Sequence, residues 1–130
     1  PEHAWNFKLP KSAGFLTGMT DPERLPAWLH EEDLSVYASE FERTGFRGGL
    51  NWYRNLDRNW HLLADVDPIV PAPALMIRGE RDAIPKFERL SEFVPNVDEV
   101  TLDCGHWIQQ ELPDETTDTI LNWLEQQASA

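Results

Sequence analysis

Apolar residues recur every three to four positions through the first half of the chain and in short unbroken runs through the second, and this change of period divides the sequence. Leu34, Tyr37, Ala38 and Phe41 form one stripe, with acids crowding its start and Gly45 just beyond its end. That pattern predicts a helix over residues 31–44. After Gly48 and Gly49, Leu50, Tyr53, Leu56, Trp60, Leu63 and Ala64 continue the helical spacing and predict a second helix over residues 50–64. Ahead of both, residues 1–20 keep no period and read as an irregular lead-in, and Asp21 followed by Pro22 predicts a short helix ending near Trp28. Pro68, Pro71 and Pro73 then rule out a helix, and the main division falls there, between a helical part (1–66) and an α/β part (67–130).

Residues 74–77 (Ala-Leu-Met-Ile) have the unbroken apolar character of a strand in a parallel sheet, and a polar loop follows at Gly79, Glu80, Arg81 and Asp82. Residues 86–93 predict a helix of about two turns, and residues 97–102 a second strand. The unit is therefore β–α–β with parallel strands. Pro113 opens a last amphipathic helix whose inward positions are expected at Thr117, Ile120, Leu121 and Leu124. Two parallel strands do not make a stable sheet alone, and the chain starts at Pro1 without an initiator Met. The sequence is accordingly expected to be the C-terminal portion of a larger α/β protein.

Composition narrows the partners. A hydrophobic fraction of 41% over 130 residues is enough material for a globular domain. Eleven basic against 23 acidic residues leave a net charge of −12, which repels nucleic acid and anionic membrane surfaces. One cysteine, Cys104, cannot form an intrachain disulfide, and no stretch has the plan of a signal peptide or a membrane span. A cytoplasmic protein is expected.

The residues with chemistry lie where the second strand ends. His106 sits on a turn just past the apolar run, and in open parallel sheets ligands bind beyond the carboxyl ends of strands. Asp82 is 24 positions earlier, one crossover away, which brings both to the same sheet edge. There Asp82 can fix the tautomer of a His106 base, or it can cap the following segment while His106 closes a turn. Cys104 is a poor nucleophile candidate, because apolar surroundings raise a thiol pKa. Asp103, Cys104 and His106 lack the second His or Cys group that a metal site needs, so neither metal nor cofactor is expected. His3, His30 and His61 sit among polar residues and read as solvated. Tyr53 has two readings: packing on a helical stripe, or hydrogen-bond donation to an oxygen that becomes an alkoxide. No G-x-S-x-G or G-x-D-x-G elbow occurs, so a nucleophile is expected upstream.

The run Gly45-Phe46-Arg47-Gly48-Gly49-Leu50-Asn51-Trp52-Tyr53-Arg54-Asn55, with Arg58-Asn59-Trp60 after it, resembles the lid signature of soluble epoxide hydrolases of the α/β-hydrolase fold. Gly79-Glu80-Arg81-Asp82 and Asp103-Cys104-Gly105-His106-Trp107 resemble the acid and base segments of the same family, which other α/β hydrolases share. The similarity runs from about Leu25 to Leu124 and implies a helical lid segment followed by the β-α-β-α end of a parallel sheet. It implies that Tyr53 is one of two lid tyrosines polarising an epoxide oxygen, and that Asp82 orients His106. An elbow aspartate then attacks an epoxide carbon, and water activated by His106 hydrolyses the resulting ester to a diol. That aspartate, the oxyanion hole and the second lid tyrosine are missing from the 130 residues. Tyr37 is a poor substitute, so the isolated chain is expected to be inactive. Trp28, Leu50 and Trp107 suggest a pocket for a small hydrophobic epoxide. The expected partners are that substrate, water and the N-terminal remainder of the core, and a homodimer is compatible with the sequence. A haloalkane or haloacid dehalogenase, an esterase and a non-catalytic binding relative stay open beside this reading.

Overall fold

The structure is a computed structural model and describes residues 10, 12–14 and 16–129, so His3 and most of the lead-in lie outside it. The first helix, α1 (Glu31–Thr44), forms where its stripe predicts. Glu31, Glu32 and Asp33 occupy its first turn, and the Asp33 carboxylate accepts the His30 N–H at 3.1 Å. Gly45 ends it at φ +66°, a left-handed conformation natural to glycine, and Phe46 returns to stack on Phe41 at 4.5 Å. No helix forms at residues 21–28. Pro26 lacks an N–H and disfavours helical backbone at Leu25, and a turn closed by Leu29 N–H on the Pro26 carbonyl replaces the expected helix.

The helix expected over residues 50–64 is two helices, α2 (Arg47–Arg54) and α3 (Leu56–Leu62), and Gly48 and Gly49 lie inside the first. Asn55 makes the break. Its side-chain amide donates to the Asn51 carbonyl at 2.8 Å, the carbonyl that its own backbone N–H reaches at 3.1 Å. A local polar side chain thus competes with the helical ladder. The stripe on these helices faces outward: Tyr53 is 74% exposed and Trp60 79%.

Strands β1 (Ala74–Gly79) and β2 (Val97–Leu102) run parallel, in register from Ala74 beside Val97 to Gly79 beside Leu102. The crossover carries one helical turn, α4 (Leu90–Phe93), instead of the two expected over residues 86–93. Asp82 accepts the Ile84 N–H at 2.8 Å and Pro85 follows, so the chain turns before it can coil. Lys86 in the crossover bonds Glu99 at 2.9 Å on one face of the sheet. On the other face, the Trp123 indole N–H donates to Asp98 at 2.8 Å. Trp123 belongs to α6 (Pro113–Ala128), which follows the single turn α5 (Ile108–Glu111).

With the Trp123 indole turned to Asp98 and the Thr116 hydroxyl to the Ile108 and Leu112 carbonyls, Thr116 is the buried position of α6, while Thr117, Leu121 and Leu124 are exposed rather than inward. Ile120, also expected inward, is 40% exposed. Among the described residues, no helix is long and apolar enough to cross a membrane.

Gly79 is where the strands come closest to the loops beyond them. A Cβ there would lie 1.9 Å from the Gly105 carbonyl oxygen and 2.7 Å from that of Cys104. Gly79→Ala forces these backbones apart and is expected to destabilise the folded protein by about 1–3 kcal/mol. A chemical-denaturation midpoint equal to that of the unsubstituted protein would show that the strand ends yield without cost.

Candidate active site

Beyond β1 and β2 the two chain segments are laced together. Glu80 N–H donates to the Leu102 carbonyl at 2.8 Å and Arg81 N–H to the Cys104 carbonyl at 2.9 Å. Arg81 also pairs through its guanidinium with the Asp103 carboxylate and donates to the Asp103 carbonyl at 2.9 Å. Asp103 is thereby turned to Arg81. These contacts hold the acid loop beside the base loop.

Asp82 and His106 meet there. His106 Nδ1 lies 3.0 Å from both carboxylate oxygens of Asp82. A carboxylate accepts only, so Nδ1 carries the proton, and in the neutral ring Nε2 keeps its lone pair. The Asp82 side chain is 14% exposed and the His106 ring 51%. Partial burial pushes the Asp82 carboxyl up. The Ile84 N–H, the His106 ring and the nearby charge of Arg78 outweigh it and hold the pKa below the usual carboxylate value. Trp107 stands edge-on to the imidazole, with centroids 5.0 Å apart. The arrangement is an oriented, half-exposed imidazole whose Nε2 makes no hydrogen bond among the described residues: a group able to take a proton from water.

Cys104, two residues away, is fully buried. Burial first, and then the Glu111 charge, raises its thiol pKa, which leaves it a neutral thiol near pH 7. His30 and His61 are exposed.

The remaining sequence-derived candidates make no hydrogen bond to the pair among the described residues. Tyr53 lies on α2, and among the described residues its hydroxyl makes no hydrogen bond. Leu50, also on α2, borders a hollow with Arg47, Asn51 and Arg54. Trp28 borders a cleft of about 340 Å³ with Arg81, Asp103, Cys104 and Glu111. Neither hollow is lined by His106 or Asp82. Tyr37 is not free packing surface, because its hydroxyl accepts a hydrogen bond from the Gln110 side chain at 2.7 Å. Glu111, which drew no attention in the sequence, reaches back from α5 to the backbone on both sides of His106. A carboxylate five residues past the histidine, just before Pro113, was its one visible signal.

Comparison with known proteins gives this geometry a context. The chain is 43% identical over 121 residues to epoxide hydrolase A of Mycobacterium tuberculosis, a match covering 88% of the chain and 38% of the relative. It is 46% identical over 112 residues to epoxide hydrolase B of the same organism, covering 79% and 31%. The crystal structure of an epoxide hydrolase from Vigna radiata superposes with a TM-score of 0.77 at 31% identity, over 91% of the chain and 41% of that structure. The chain is a homologue of the epoxide hydrolases. This homologue has the α/β-hydrolase fold of its structural neighbours. No family model matches it. The homologue spans well under half the length of the relatives it matches.

Proposed function

We propose that the full-length protein carrying this chain hydrolyses a small hydrophobic epoxide to a vicinal diol through an alkyl-enzyme ester, with His106 as the base of the second step. The observation that carries the reading is the Asp82–His106 pair, its Nε2 free, at the carboxyl edge of a parallel pair of strands. Homology to epoxide hydrolases over most of the chain supports the substrate class.

The chemistry divides cleanly. A strained ring needs a nucleophile at carbon and a proton donor at oxygen, and the ester then needs water made nucleophilic by a base. His106 takes the proton from that water at Nε2, and Asp82 stabilises the imidazolium that results. Tyr53 donates to the opening oxygen. Its exposed ring, with a hydroxyl that makes no hydrogen bond among the described residues, supports that role, and residues 1–66 are proposed to be the lid segment over a core of residues 67–130. Trp107, Trp28 and Leu50 are proposed to border the substrate. The 130 residues contain no elbow nucleophile, so the aspartate comes from the remainder of the full-length core, which also covers the apolar stripe of α2 and α3. The isolated chain is inactive on this reading. No cofactor or metal is needed, and a single reduced cysteine suits a cytoplasmic enzyme.

The test is a single turnover in ¹⁸O-labelled water with enzyme in excess over epoxide. An ester intermediate gives diol whose new oxygen is unlabelled, because it comes from the protein carboxylate. Labelled diol in the first turnover would mean direct attack by water and would overturn the mechanism. In the same assay Tyr53→Phe is expected to slow ring opening on the order of 10²-fold. An unchanged rate would return Tyr53 to packing.

A further inference from the structure

Glu111 is bonded to the backbone on either side of His106. Its Oε2 accepts the Gly105 N–H at 2.7 Å and its Oε1 the Trp107 N–H at 3.2 Å, so one carboxylate brackets the histidine. Charge-assisted bonds of this kind are about twice as strong as neutral ones, and a two-point attachment fixes direction as well as distance. We infer that Glu111 is the positioning residue of the base, holding the backbone of His106 so that Nε2 stays aimed at the hydrolytic water. This rests on the proposed role of His106 in ester hydrolysis.

The surrounding residues are arranged around that clamp. Gly105 leaves room for the carboxylate: a Cβ there would stand 2.8 Å from Oε1 and 3.2 Å from Oε2. Glu111 itself ends the one-turn helix α5, which too few bonds hold by themselves. Buried Thr116 secures it, its hydroxyl lying 3.1 Å from the Ile108 carbonyl and 2.6 Å from that of Leu112. From above, Gln110 donates to Tyr37 of α1 at 2.7 Å. The histidine is thus oriented twice, through its ring by Asp82 and through its main chain by Glu111. The second control bonds the main chain beside the histidine and not the reacting groups, so its loss acts on the step that uses the ring.

The predicted outcome is a split between half-reactions. Glu111→Gln keeps the size of the side chain, but its NH₂ group opposes one of the two backbone donors. In the full-length enzyme, ester formation from an epoxide should stay within twofold of the unsubstituted rate, while ester hydrolysis falls by on the order of 10²-fold and the ester accumulates. Gly105→Ala crowds the same carboxylate from the opposite side and should give the same split, so the inference does not hang on the folding of one variant. His106→Gln is run beside them. If it forms no ester, the underlying mechanism has failed. If it traps ester while both variants hydrolyse ester at the normal rate, or lose both steps equally, the clamp has failed.

Discussion

Full-length enzyme with His106 replaced by Gln is expected to form the alkyl-enzyme ester and then stop. Nothing else in the described site offers a lone pair at the position of Nε2, since the nearby thiol of Cys104 is buried and neutral. Steady-state turnover should fall by on the order of 10³-fold or more, and intact-mass measurement should find the protein heavier by the whole mass of the epoxide. The whole mass matters, because ring opening expels no leaving group, whereas a dehalogenase reaction would leave an adduct lighter by hydrogen halide. A normally folded variant that forms no adduct would sink the ester mechanism.

Asp82→Asn should reach a similar end by a different route. The Asp82 carboxylate receives Nδ1–H at 3.0 Å and obliges the tautomer with Nε2 free. An amide presents either its oxygen or its NH₂ to the ring. In the second orientation the proton moves to Nε2, where it blocks the acceptance of a proton from water. Ester hydrolysis is expected to drop by on the order of 10³–10⁴-fold with ester formation preserved. Stopped-flow measurement of the two phases checks this: an undiminished hydrolysis phase would place Asp82 outside the second step, and equal losses in both would show that it does not act through the base alone. The substitution also has an equilibrium signature. The folded pKa of Asp82 lies below its unfolded value, so its ionised form stabilises the fold above that unfolded value. The contribution disappears as pH falls through the folded one. Unfolding midpoints of the Asn variant should therefore lose part of their decline in acid, below about pH 4.

The parts of the molecule that could be read in advance share one property: short-range causes. Residues 31–44 carry their own stripe, acids and glycine stop, and residues 74–77 their own apolar run, and both form as the pattern says. The acid and the base were legible as a pair because one crossover of ordinary length separates them, and they do meet. What escaped depended on competition or on distance. Asn55 interrupts a helix that hydrophobic spacing alone would continue, because an amide side chain can take a carbonyl from the ladder. The face that α6 buries goes with contacts such as the bond between Trp123 and Asp98, 25 positions apart, and no helical period records such a bond. Glu111 was invisible for a related reason. A glutamate near a helix end is commonplace in sequence, and only the folded turn reveals that its carboxylate faces two backbone donors.

The lacing of Glu80 and Arg81 to the carbonyls of Leu102 and Cys104 has a consequence for how such an enzyme diversifies. Acid and base are assembled by a contiguous stretch of about two dozen residues, using backbone groups at Glu80 and Arg81 that replacements other than proline leave in place. Closing so short a loop costs little entropy, so the pair does not wait on distant parts of the chain to find its geometry. If α2 and α3 border the substrate as proposed, mutations that reshape them alter which substrates are admitted while leaving the Asp82–His106 pair in place. On the proposed function, specificity and hydrolytic competence lie on separable segments, and a new lid can be tried on an acid–base pair kept intact.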